Sequence, residues 1–74
     1  MFAKRLNETR KSRGLTAKAT AEHLNIEIRS YRNYESGHRE PSLENLVKIA
    51  DFFQVSTDYL LGREDSFETL RKTR

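Results

Sequence analysis

The stretch from residue 16 to residue 37, TAKATAEHLNIEIRSYRNYESG, constrains the fold of this chain more than any other. Its apolar positions recur at helical spacing in two short runs, with Asn25 standing between them. Thr16 is placed to cap a first helix that reaches Leu24, because a hydroxyl at that position accepts from the free N–H groups of the first turn. Asparagine is the non-glycine residue that best tolerates a left-handed backbone, so the chain is expected to turn at Asn25. A second helix then covers Ile28 to Ser36, and Gly37 is well placed to stop it.

The second of these helices divides by face. At about 100° per residue, Tyr31, Tyr34 and Glu35 fall on one side, and Arg29, Arg32, Asn33 and Ser36 on the other. Arginine and asparagine suit guanine and adenine edges respectively. A solvated surface explains the same polarity equally well, so periodicity alone leaves both readings open.

Three motifs go further. LT-(x)4-A-(x)2-LNI from Leu15 to Ile26, YE-x-G from Tyr34 to Gly37, and REPSLENLVKIADFFQVSTDYLLG from Arg39 to Gly62 resemble the Cro/repressor-type helix-turn-helix family. That family is also called the xenobiotic-response-element family of bacterial and phage regulators. The resemblance runs from Phe2 to Gly62. It implies an all-α, compact five-helix, lambda-repressor-like DNA-binding domain whose helix-turn-helix is formed by helices 2 and 3. The domain would occupy residues 1–62, followed by a C-terminal tail, 63–74, that is frayed or a short helix.

Composition sets limits that agree. A chain of 74 residues has room for one small core, and with 35% hydrophobic and 34% charged residues that core must be lean. There is no cysteine to staple it, which fits a reducing compartment. The sequence shows no signal peptide and no apolar run long enough for a bilayer, so a soluble, cytoplasmic protein without membrane contact is expected. The net charge of +3 is unevenly spread: Lys4, Arg5, Arg10, Lys11, Arg13 and Lys18 face Glu8 alone at the start of the chain. Between Ser42 and Leu61 the balance is slightly acidic. A basic face on a nearly neutral body suits a polyanion, although a merely soluble surface accounts for the net charge as well.

Taken in order, residues 2 to 13 read as the first helix, with Phe2 and Leu6 one turn apart and Gly14 as its stop. The resemblance implies a structural ion pair between Arg10 and Glu35. Arg13, Lys11 and Lys4 read as solvated rather than ligand-bound. Thr16 as cap leaves the N–H groups of Ala17 and Lys18 at a helix N-terminus, a natural phosphate seat. The family usually has glutamine at position 17, a core leucine at position 20, glycine at position 25 and Ser or Thr at position 27. This chain has Ala17, Thr20, Asn25 and Glu27. Glutamate is a poor N-cap, and its charge opposes phosphate.

The resemblance implies base contacts from Ile28, Arg29, Arg32 and Asn33. Arg29 is the first choice, bidentate to a guanine, and Asn33 could read adenine or brace Arg29. Arg32 could instead grip a phosphate, and Ile28 could meet a thymine methyl or enter the core. Phosphate contacts are expected from Thr16, Ala17, Lys18, Ser30, His38 and Arg39. Tyr31 and Tyr34 read as inward, with hydroxyls that could still reach a phosphate. Ser42 and Ser56 are expected to cap the last two helices, and Leu43, Leu46, Val47, Ile49, Ala50 and Phe53 to form the main wall of the core. Asp65 and Glu68 in the tail have capping-box spacing, with Phe67 and Leu70 on one side of a possible helix.

These readings converge on a sequence-specific, double-stranded DNA-binding regulator, a repressor of the phage or mobile-element kind. It would bind a palindromic operator as a homodimer through residues such as Phe53, Tyr59 and Leu61. The alternative is an antitoxin-like protein-interaction module in which DNA binding is secondary. There is no Gly-rich phosphate loop, no nucleophile with an oriented base and no paired carboxylates, so catalysis is not expected. No cofactor, metal site or small-molecule ligand domain is expected either. The two histidines, His23 and His38, have no cluster of ligating neighbours in the sequence.

Overall fold

The computed structural model describes residues 2–63, which form five helices joined by short turns. These are α1 (Phe2–Ser12), α2 (Ala17–Leu24), α3 (Ile28–Ser36), α4 (Leu43–Phe53) and α5 (Thr57–Leu60). The tail residues Asp65, Glu68, Phe67 and Leu70 lie outside the described residues.

Local chemistry explains most of the boundaries. Thr16, Ser42 and Ser56 each hold an extended backbone, and each side chain accepts a hydrogen bond from the N–H three residues on, at Ala19, Asn45 and Tyr59. Each thereby satisfies one of the donors a helix start leaves free. Glu27, at the start of α3, makes no such bond. At the far ends, Asn25 and Gln54 take left-handed conformations with φ of 56° and 58°. The following residues, Ile26 and Val55, donate their N–H groups to the carbonyls of Ala21 and Ala50 at 2.9 and 3.0 Å. That six-to-one closure recovers orphan carbonyls and turns an apolar side chain back toward the helix it ends. Gly37 closes α3 at φ 84°, a conformation open to glycine without strain.

All five helices enclose one core. Leu6 of α1, Ala21 and Leu24 of α2, Tyr31 and Tyr34 of α3, Ile49, Ala50 and Phe53 of α4, Val55, and Leu60 of α5 are buried together. Thr20 is also fully enclosed, and its hydroxyl donates to the Thr16 carbonyl at 2.9 Å, so a polar residue sits at a core position at little cost.

Two sequence expectations about α4 are corrected here. Leu43 is 81% exposed and Val47 50% exposed, so the wall facing the core is narrower than the apolar run suggested. Leu43 instead lines a surface groove with Phe2, Pro41, Leu46 and Leu61, and Val47 is half exposed. Phe53, expected at a dimer interface, is 2% exposed and belongs to the core, so it offers no surface to a second copy. Arg13 is also more engaged than expected. Its Nη2 donates to the Phe53 carbonyl at 2.7 Å, placing a cation at the C-terminus of α4, where the helix dipole favours it.

Candidate nucleic-acid interface

The position of α3 is set from its inner face. Tyr31 is fully buried, and Tyr34 is nearly so, its hydroxyl oxygen accepting from Asn45 Nδ2 of α4 at 3.1 Å. The Tyr31 hydroxyl is therefore closed to an outside ligand, whereas Tyr34 lines a surface pocket with Gly37 and Arg39. The Tyr31 hydroxyl is enclosed beside Arg10 and Glu35 and makes no hydrogen bond of good geometry among the described residues. Its burial, followed by the neighbouring Glu35 carboxylate, pushes its ionisation well above the ordinary tyrosine range.

A polar clamp fixes α3 along the chain. Glu35 receives Arg10 Nε on Oε2 at 2.7 Å, and Arg10 Nη2 and Asn7 Nδ2 on Oε1 at 3.1 and 2.8 Å. Arg10 Nη1 also donates to the Leu15 carbonyl at 2.7 Å, one residue before the cap of α2. One guanidinium thus holds α1, the entry to α2 and the last turn of α3 in register. Burial alone would raise the Glu35 carboxyl, but the bonds from Arg10, helped by Asn7, outweigh it and hold the group below the usual glutamate range. The Arg10 guanidinium is correspondingly raised. Asn7 was not singled out from the sequence. Its partner lies 28 residues away, and nothing local marks it.

With the inner face so fixed, the other side of α3 faces outward. Arg29 and Arg32 are exposed, while Ile28, Ser30 and Asn33 are half-buried. The Arg29 and Arg32 side chains have no hydrogen bond or ion pair among the described residues, so two cations stand available on one helix. Ile28 packs partly against the core, which limits what it can present.

The flanks bring further groups. Thr16 and Lys18 are exposed and Ala17 is half-buried at the start of α2. With the Thr16 hydroxyl committed to Ala19 N–H at 3.0 Å, the N–H groups of Ala17 and Lys18 have no helical acceptor. Beyond α3, the Arg39 N–H donates to the Asn33 carbonyl at 3.2 Å, folding the loop back on the helix end. His38 Nδ1 and Ser36 Oγ are hydrogen-bonded at 2.7 Å, and both His38 and Arg39 are exposed. Among the described residues, no group of three or more His, Cys, Asp or Glu could hold a metal ion, and no helix is long and apolar enough to cross a membrane.

Comparison with known proteins adds an independent line. Residues 6–60 match the profile of the helix-turn-helix family. The chain is 45% identical over 64 residues to the HTH-type transcriptional regulator ImmR of Bacillus subtilis (strain 168), covering 86% of this chain and 50% of ImmR. It is 46% identical over 59 residues to the cryptic phage CTXphi transcriptional repressor RstR of Vibrio cholerae, covering 80% of this chain and 53% of RstR. The chain thus spans about half the length of these curated relatives. A crystal structure of a transcriptional regulator from Listeria innocua superposes with a TM-score of 0.78 at 32% identity, covering 99% of this chain and 71% of that one.

Proposed function

The chain belongs to the helix-turn-helix family, and from that premise we propose that it is a sequence-specific, double-stranded DNA-binding transcriptional regulator of the cytoplasm. The observation that carries this reading is the outward face of α3, where Arg29 and Arg32 stand exposed beside Asn33, flanked by the free start of α2. In this reading α3 enters the major groove. Arg29, Arg32, Asn33 and Ile28 reach base edges, while Thr16, Ala17, Lys18, Ser30, His38 and Arg39 hold the backbone. Residues 1–62 form the DNA-binding unit, and the protein works by occupancy rather than catalysis.

Resemblance to a phage repressor among its relatives supports repression as the outcome. A homodimer would set two copies of α3 in successive major grooves, about 34 Å apart, on an approximately palindromic operator. Leu61 is exposed and Tyr59 half-buried at the α5 end, and these rather than Phe53 are the residues proposed to meet a second copy.

Selection of bound sequences from a random duplex pool, followed by titration of the winners at two salt concentrations, tests the reading. An enriched palindrome held well above random DNA at both salts is expected. Binding without enrichment that collapses as salt rises would mean phosphate attraction alone and would overturn it.

A further inference from the structure

Between the start of α1 and the end of α3 lies a surface pocket to which the DNA reading gives no role. It is lined by Phe2, Ala3, Tyr34, Gly37, Arg39 and Glu40, and its volume of about 160 Å³ is several times that of a water molecule.

Three of its walls favour an anion. Tyr34 is 7% exposed, and its hydroxyl oxygen already accepts from Asn45 Nδ2 at 3.1 Å. The hydroxyl proton is left to donate, with no acceptor among the described residues. The Arg39 side chain is exposed and has no hydrogen bond or ion pair among those residues either. Phe2 and Ala3 open α1, a helix of 11 residues with no acidic residue in its first turn. The positive end of its dipole therefore stands uncompensated at the pocket. Against these, Glu40 is the one carboxylate in the lining, and it is exposed, so water and salt screen it. The Asn33 carbonyl near the end of α3 is already taken by the Arg39 N–H at 3.2 Å, which also ties the backbone of Arg39 to that helix.

We propose that this pocket seats one phosphate of the duplex backbone, held by the Tyr34 hydroxyl and the Arg39 guanidinium at the start of α1. Asn45 is then a positioning residue, because its amide occupies the Tyr34 oxygen and leaves the proton for the phosphate. The inference rests on the DNA-regulator reading and adds to it a contact that carries no sequence information but sets register. Tyr34 directly follows Asn33 on α3, so a phosphate held there fixes how the outward face of that helix lies in the groove.

Operator duplexes carrying a neutral methylphosphonate at one position at a time, titrated with the full chain and with its Tyr34→Phe and Arg39→Ala variants, test this. Tyr34→Phe keeps the buried ring, and Arg39→Ala alters only an exposed side chain, so both variants should fold. On unmodified DNA, Tyr34→Phe is expected to lose about tenfold in affinity, the size of a hydrogen bond to a charged acceptor. At one backbone position the methylphosphonate should weaken the parent, and there both variants should bind about as well as the parent does. Losses that add at every position would overturn the proposal and leave the DNA reading standing. Coupling of the two variants to different phosphates would do the same. Inorganic phosphate that shifts the Arg39 Nε resonance of the DNA-free parent, with additive losses on DNA, would assign the pocket to a free anion instead. A chain that binds no duplex at all fails the DNA reading itself, and this inference with it.

Discussion

The α2–α3 and α4–α5 pairs share one turn and differ in what the second helix does. In each, a left-handed non-glycine residue, Asn25 or Gln54, ends the first helix, and the next residue, Ile26 or Val55, closes onto the carbonyl of Ala21 or Ala50. In each, α1 supplies a cationic tie to the second helix: Arg10 to Glu35 of α3, and Arg5 over the Tyr59 ring of α5 at 4.5 Å. They part afterwards. The second helix of the α4–α5 pair is four residues long, capped by Ser56, and spent on burying Leu60. That of the α2–α3 pair is nine residues long, uncapped by a side chain, and presents Arg29 and Arg32 outward. Turn geometry therefore says nothing of function here. The length and outer face of the helix after the turn say it.

The largest effect that would break this comparison is at Leu60. If α5 exists to fill the core, Leu60→Ala should cost about 2–5 kcal/mol in urea denaturation, with DNA affinity per folded molecule unchanged. A negligible cost would mean that α5 is peripheral. The converse substitution, Arg29→Ala, should leave stability nearly intact and lose about 1–3 kcal/mol of affinity for a selected operator, relaxing one base position. Arg39→Ala should instead weaken all sequences alike. Equal losses from both on every duplex would sink the assignment of α3 as the reader.

The tie between α1 and α3 is sharper than that between α1 and α5, and pH exposes it. The Glu35 carboxyl is lowered in the folded protein, so its contribution to stability is complete above the ordinary glutamate value of about 4.3. It is lost as pH falls through the lower folded value. Glu35→Gln should remove that pH dependence and cost about 1–3 kcal/mol at neutral pH, and a variant curve parallel to the parent in acid would refute it. The smallest effects lie at the helix starts. Ser56→Ala should cost about 1 kcal/mol, and Glu27→Ser should add about 0.5–1 kcal/mol. The second change should also tighten DNA binding by removing a negative charge beside the phosphates, and looser binding would argue that Glu27 faces elsewhere.

What could be read in advance follows the range of the interaction. Thr16, Ser42 and Ser56 announce helix starts because a cap bonds three residues away, and Asn25 announces a turn because its own side chain tolerates the left-handed backbone. Gln54 carries no such preference, and it adopts the same conformation because Val55 is drawn into the core behind it. The apolar run of α4 marked a stripe but could not say which residues would be covered. That depended on where α5 and the 37–42 loop came to lie, and Leu43 and Val47 were left outside while Phe53 went in.

The sequence by itself determined the order and ends of the helices, the inward set of α3 and the cationic character of its outer face. Those properties depend on backbone hydrogen bonds and side-chain spacing within a few residues. Only the tertiary structure decided that Asn7 joins Arg10 on Glu35, that Arg13 closes α4, and that an apolar groove stays open beside Leu61. Each of those depends on groups brought together from distant parts of the chain, and helical periodicity carries no information about the distance between two helices.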